Sequence, residues 1–332
     1  MTETREMRLE SWDRFGTPNL DIEYGLLGQS HVFPYRGATI RVSLPGLDRM
    51  GDESIGAGYV HSWRTEDENR IPQAAFVFEV DVCVQRGHCM TLPVEVLNRH
   101  PNAIDLIEAG DQTRLNAFVA EANSIASNAF EYWLSIMRWE SGDYQIGRPG
   151  RPDASKWSTY LRECESLTRV WSGPHTIAVY RSDAVTKDMW QAVQAALERS
   201  FEVPIHLKFF DDAQESCGRY EFRRSILELA IACEVFMRTP VLQKLPSELN
   251  PDVRMLVEEV NANQLRQKFY PRLLTGDAAK KFKALNEKDL KSLFDARNKI
   301  MHMAQEDRAT EENCVRFIKA AAVLFEIGGT LV

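Results

Sequence analysis

Apolar and polar residues alternate with a period of two at two places in the first hundred residues. Ile40, Val42 and Leu44 share one face against Thr39, Arg41 and Ser43, and Phe78, Val80, Val82 and Val84 oppose Glu79, Asp81, Cys83 and Gln85. Such alternation predicts half-buried strands over 39–44 and 78–85 in an antiparallel sheet, not the continuous apolar strands of a doubly wound fold. Pro45-Gly46 and Arg86-Gly87 punctuate these strands, and 51–70 is polar enough for a long loop. The period then lengthens. Leu115, Phe118, Val119, Ala122, Ile125, Ala126, Ala129, Trp133, Ile136 and Met137 recur every three or four positions and predict a helix over 112–139. The Gly- and Pro-rich run 147–152 reads as a surface turn whose two arginines invite a nucleic-acid reading but fit solvating charges better. A short strand over 176–180 and a helix over 186–199 carrying Met189, Trp190, Val193, Ala196 and Leu197 follow.

Beyond that point helical periodicity takes over. The segment 219–238 is a strong helix ended by Pro240, and 255–269 is a second one followed by Pro271. Asn286, with Asp289 three residues later, is placed to cap a helix running through His302. Thr310 is placed to cap the last helix, with Val315, Ile318, Ala321, Ala322 and Phe325 facing inward. The expected architecture is an α+β domain over 1–183 followed by an all-α helical bundle over 184–332, the helix near Thr186 joining the bundle.

A length of 332 residues agrees with two domains, and 44% hydrophobic with 27% charged residues is the composition of ordinary globular chains. The first twenty residues show neither the apolar run of a signal peptide nor a membrane span, so no membrane partner is expected. Six cysteines without a CxxC pair suit a reduced, cytoplasmic protein and speak against a zinc knuckle. His88 beside Cys83 and Cys89 lacks a fourth nearby ligand, and the remaining histidines show no partner pattern. The seven tryptophans read as core or domain-interface residues. No phosphate-binding loop, dinucleotide fingerprint, HExxH or GxSxG is present, and with them go the usual handles for kinase, Rossmann, zincin and serine-hydrolase chemistry.

Charge separates the halves. The net charge of -8 resides entirely in residues 1–200, whereas 201–332 carry 20 basic and 20 acidic residues. Within 266–299 there are ten basic residues and four acidic ones. The overall charge argues against a protein that coats nucleic acid but permits a local basic groove, and the same stretch also fits a solvated helical face.

Asp295-Ala296-Arg297-Asn298-Lys299-Ile300-Met301-His302 concentrates the candidate chemistry. Asn298 and His302 are four apart and share a helical face, with Arg297 at its flank. Together they offer a phosphate fork, an orienting amide and a group that titrates near neutrality, a set suited to phosphodiester chemistry without a metal. By spacing alone the string equally fits a surface arginine and a histidine near a helix C-terminus. The order of parts from Arg219 onward resembles the HEPN (higher eukaryotes and prokaryotes nucleotide-binding) domain superfamily. Its signature, Arg followed by Asn and then by His after three further residues, stands here as Arg297-Asn298-Lys299-Ile300-Met301-His302. The helix ending in Leu229-Ala230-Ile231-Ala232-Cys233-Glu234 resembles the family's earlier helix with its acidic or polar residue, and Ala320-Ala321-Ala322 lies where the family has its final helix. The resemblance covers about a third of the chain.

The resemblance implies a metal-independent endoribonuclease of the toxin-like or anti-phage defence type that uses no cofactor. RNA is the implied substrate, a homodimer brings Arg297 and His302 of two copies into one cleft, and an antitoxin or another defence-system component is the implied further partner. Attack by a ribose 2′-hydroxyl on the adjacent phosphate would leave a cyclic phosphate end. Arg297 would clamp the phosphate, His302 would move the proton, and Asn298 would fix the imidazole or a phosphate oxygen. Glu234 is assigned to orienting Arg297 or His302, or else reaches solvent at its helix edge. The 1–183 domain would then be regulatory or sensing. Family members that lack activity imply the alternative of a noncatalytic nucleotide-binding or protein-interaction module.

Overall fold

The computed structural model describes residues 4–46, 59–62, 74–93, 107–148, 160–162, 169–172, 184–303 and 307–328. Its strands are β1 (Thr4–Glu23), β2 (Ser30–Tyr35), β3 (Ala38–Ser43), β4 (Tyr59–Ser62), β5 (Ala74–Pro93), β6 (Tyr160–Arg162) and β7 (Arg169–Ser172). Its helices are α1 (Ala109–Ser141), α2 (Lys187–Glu198), α3 (Ile205–Gly218), α4 (Phe222–Gln243), α5 (Pro251–Glu258), α6 (Ala262–Gln264), α7 (Gly276–Leu285), α8 (Lys291–Met303) and α9 (Glu311–Gly328). An α+β region is therefore followed by an all-α bundle, as the hydrophobic pattern predicts. The chain divides into two compact units, Met1–Pro149 with Ile177–Glu202, and Gly150–Thr176 with Val203–Val332. Among the described residues no helix is long and apolar enough to cross a membrane.

In the first unit the sheet is antiparallel, in the order β1-β5-β3-β2, with β4 also pairing β5. The long β5 is central, and both of its faces are covered near Cys83. Val80, Val82 and Val84 are buried as the alternation predicts, but so is Cys83, while Phe78 is exposed. Arg36 and Gly37, with φ of 47° and 78°, form the left-handed pair that a tight hairpin between β2 and β3 needs. In α1 the buried side chains are Ala122, Ala126, Ala129, Phe130, Trp133, Leu134, Ile136 and Met137, whereas Val119 faces solvent. Trp133 and Trp190 are core residues as expected, but Trp12 and Trp139 are exposed. The expected strand over 176–180, most of the expected 51–70 loop and residues 149–152 lie outside the described residues.

The helix near Thr186, expected with the bundle, packs instead on α1 and β2. Trp190, Val193, Ala196 and Leu197 are its buried face, Gln194 bonds both the N–H and the carbonyl of Val32, and Val185 forms a parallel bridge with Ile22. An amphipathic helix goes where its apolar stripe finds a partner, and here that is the sheet, so the long helical segment of the second unit starts at Val203. Gly147 and Arg148, the described start of the expected 147–152 turn, depart from expectation as well. Arg148 is buried, and Gly147 donates to the Pro18 carbonyl at 2.7 Å.

The second unit is built around α4, whose buried Ile226, Leu229, Ala230, Cys233, Phe236 and Met237 join Leu293, Phe294, Ala296 and Ile300 of α8 and Cys314, Phe317, Ala321 and Leu324 of α9 in one core. Three helix boundaries differ from those the sequence predicts. Pro240 lies inside α4, which runs on to Gln243 because Pro240 and Val241 are buried and hold the last turn in place. The 255–269 segment is divided into α5, α6 and a π turn over Leu265–Phe269. Asn286 does not cap a helix: α7 passes through a π turn, Asn286–Leu290, directly into α8.

Candidate functional site

Arg297, Asn298 and His302 all lie on α8, the first two between the buried Ala296 and Ile300 that fix the helix to the core and His302 just beyond them. Anchoring one side of a helix this firmly sets the direction of the other. Arg297 and Asn298 are half-buried and His302 is exposed in the last turn, one helical turn beyond Asn298. Arg297 Nη1 donates to Asn298 Oδ1 at 2.9 Å. The amide oxygen therefore orients the guanidinium, a role additional to the imidazole-fixing or phosphate-holding one expected of the residue. A guanidinium has five donors, and this bond occupies one of them, so a two-pronged grip on an anion is still open to it.

Glu234 is drawn elsewhere. Its Oε1 accepts from Arg238 Nη2 at 2.6 Å, one turn along α4, and Arg238 also donates to the carbonyls of Glu258 and Val260. The carboxylate thus steadies an arginine that closes the C-terminal end of α5, where helix carbonyls lack partners of their own. The geometry gives Glu234 a place in this ion pair, not one orienting Arg297 or His302, because an i, i+4 arginine on the same helix is the nearest cation available to it.

A second arginine, not singled out by its sequence, holds the site's scaffold. Arg266 is buried, its Nε donating to Asn263 Oδ1 at 3.0 Å and its Nη1 to Asn286 Oδ1 at 2.9 Å, while Asn286 Nδ2 returns a bond to the Arg266 carbonyl at 3.2 Å. Burial lowers the Arg266 pKa, and the nearby Asp295 carboxylate opposes that shift. Asp295 precedes Arg297 by two residues, so the network ties the π turn and the start of α8 to the segment around α6. The Asn-x2-Arg spacing of 263 and 266 was the only local signal; the partner twenty residues away is a tertiary fact.

His31, without a local partner pattern, is fully buried in the first unit. Trp133 Nε1 donates to its Nδ1 at 2.9 Å, its Nε2 lies 2.9 Å from the Trp190 carbonyl, and its ring stacks on Trp190 with centroids 3.6 Å apart. An indole N–H only donates and a carbonyl only accepts, so the imidazole is neutral with its proton on Nε2. Burial lowers its pKa to about 4, against the lesser upward pull of the Trp190 carbonyl. No group of three or more His, Cys, Asp or Glu among the described residues is arranged to hold a metal ion. No family model matches the chain, and no curated protein or solved structure matches it either.

Proposed function

We propose that the helical unit is a cytoplasmic, metal-independent endoribonuclease of HEPN type, toxin-like or defensive in role, acting as a homodimer. The observation that supports this reading is the placement of Arg297, held by Asn298, and the exposed His302 on the outer side of one core-anchored helix. Arg297 would bind the scissile phosphate and stabilise charge on its oxygens, and His302 would take the 2′-hydroxyl proton or supply one to the leaving 5′-oxygen. One copy offers one histidine at this site, and two separate proton transfers call for a second, which a twofold axis beside His302 would supply.

Cleavage of RNA in EDTA-containing buffer tests the proposal. Arg297→Ala and His302→Ala are each expected to lose about 100-fold or more in rate while remaining folded, since each removes a transition-state interaction from a site outside the core. A single deoxyribose before the cut removes the nucleophile and should abolish cleavage there. Unchanged cleavage in both variants would remove these residues from the mechanism, and an intact chain that cuts no RNA would favour a noncatalytic binding module.

A further inference from the structure

Because α7 continues through the π turn into α8, residues 276–303 form one rod, about 40 Å long at 1.5 Å per residue. A π turn advances less per residue than an α turn, so positions five apart align across it as positions four apart align elsewhere. Lys283 and Lys288 stand in that relation, Lys291 follows one turn on, and Asn298 and His302 continue along the same side. Lys283, Lys288 and Lys291 are exposed and Lys299 is half-exposed beside Asn298.

The ionic balance along this rod is unusual for a solvated helix face, which ordinarily pairs its charges at i, i+4. Its carboxylates are drawn to other partners. Asp277 pairs with Lys280 at 3.6 Å and Asp289 with Arg316 of α9 at 3.7 Å, and Asp295 lies near enough to the buried Arg266 to act on its charge. Among the described residues Lys283, Lys288, Lys291 and Lys299 have no ion-pair partner, and of the rod's four carboxylates Glu287 and Asp295 have none either, Asp295 acting on the charge of Arg266. A row of uncompensated cations therefore leads up to Arg297 and His302 within a chain of net charge -8. The distant acidic residues are screened within about 10 Å at 0.1 M salt, so a polyanion laid on the rod meets the local charge.

We infer that Lys283, Lys288, Lys291 and Lys299 form a track for the phosphate backbone of single-stranded RNA, delivering the strand to Arg297 and His302. The delivery rests on the ribonuclease reading, whereas the binding does not. A single line of cations along a convex helix matches one line of phosphates; a duplex presents two lines across a groove. Contacts of this kind are independent of sequence and release counterions, so binding should weaken steeply with salt.

Fluorescence anisotropy of the full chain with a labelled 2′-O-methyl oligouridylate measures binding apart from cleavage, because that strand lacks the nucleophile. Between about 50 and about 200 mM salt the logarithm of affinity should fall linearly. Lys288→Glu combined with Lys291→Glu should reduce that slope by about 1.4 and weaken binding about tenfold or more. Lys208→Glu combined with Lys244→Glu, exposed lysines off the rod, should leave both unchanged. An unaltered affinity in the first pair, an equal loss in the second, salt-independent binding, or binding to phosphatidylserine vesicles but not to RNA would each overturn the track. Loss of binding in the first pair with no cleavage by any form would sustain the track and sink the ribonuclease reading. Cleavage whose binding ignores the first pair would do the reverse.

Discussion

His31 shows how one side chain can make stability depend on pH. In the fold it is neutral, since a proton on Nδ1 would oppose the Trp133 N–H, and its pKa is about 4 against 6.5 for the free side chain. Between those values the unfolded chain binds a proton that the folded chain does not. The stabilisation is therefore complete above pH 6.5 and declines as pH falls toward 4, by about 3 kcal/mol in all. Urea unfolding of the wild type and His31→Gln at pH 7 and pH 4.5 checks this, and the variant should lose the part of the pH dependence that His31 contributes. Arg266 carries a comparable load without titrating. Arg266→Met leaves the half-buried Asn263 and Asn286 without their donor and should lower stability by about 1 to 3 kcal/mol, with no rescue by Lys, which cannot fork to both amides. Cys233 lies in the core, where burial raises its pKa to about 12, so an alkylating reagent should modify it only after unfolding.

At the scale of elements, one of the two caps the sequence predicts is formed and the other, Asn286, is absorbed into a continuous helix. Thr310 does cap α9, its hydroxyl accepting from the Asn313 N–H at 3.3 Å, and Thr310→Ala should lower the stability of the helical unit by about 1 kcal/mol in a denaturant titration. The inward face of α9 is another matter. Cys314, Phe317, Ala320, Ala321, Leu324 and Ile327 are buried, while Val315, expected inside, is exposed along with Val323. Every residue from Ala320 to Phe325 is apolar, so two overlapping stripes satisfy the helical period and only the packing on α3, α4 and α7 selects one. Gly147 illustrates a similar limit. Its φ of 74° marks a turn, yet a Cβ there would come within 2.6 Å of the Leu134 side chain, so Gly147→Ala should destabilise the first unit by well over the strain of the turn itself.

At the scale of the whole molecule, each unit has its own buried apolar core, so a fragment covering residues 203–332 is expected to be helical by circular dichroism and to melt cooperatively. A fragment that stays unfolded would show that the helical core needs the rest of the chain. The uneven charge belongs to this scale too, because the acidic excess of residues 1–200 leaves the helical half balanced and free to concentrate its lysines on one rod.

The sequence by itself determined the order of element types, the alternation that buries Val80, Val82 and Val84, the Thr310 cap, and the grouping of Arg297, Asn298 and His302, because each depends on neighbours within about one helical turn or one strand. Tertiary structure alone decided the attachment of α2 to the sheet, the fusion of α7 with α8, the burial of His31 and Arg266, and the diversion of Glu234 to Arg238. Those outcomes follow from which of several polar or apolar partners, mostly distant in the chain, comes within hydrogen-bonding or packing distance, and no local period encodes that choice.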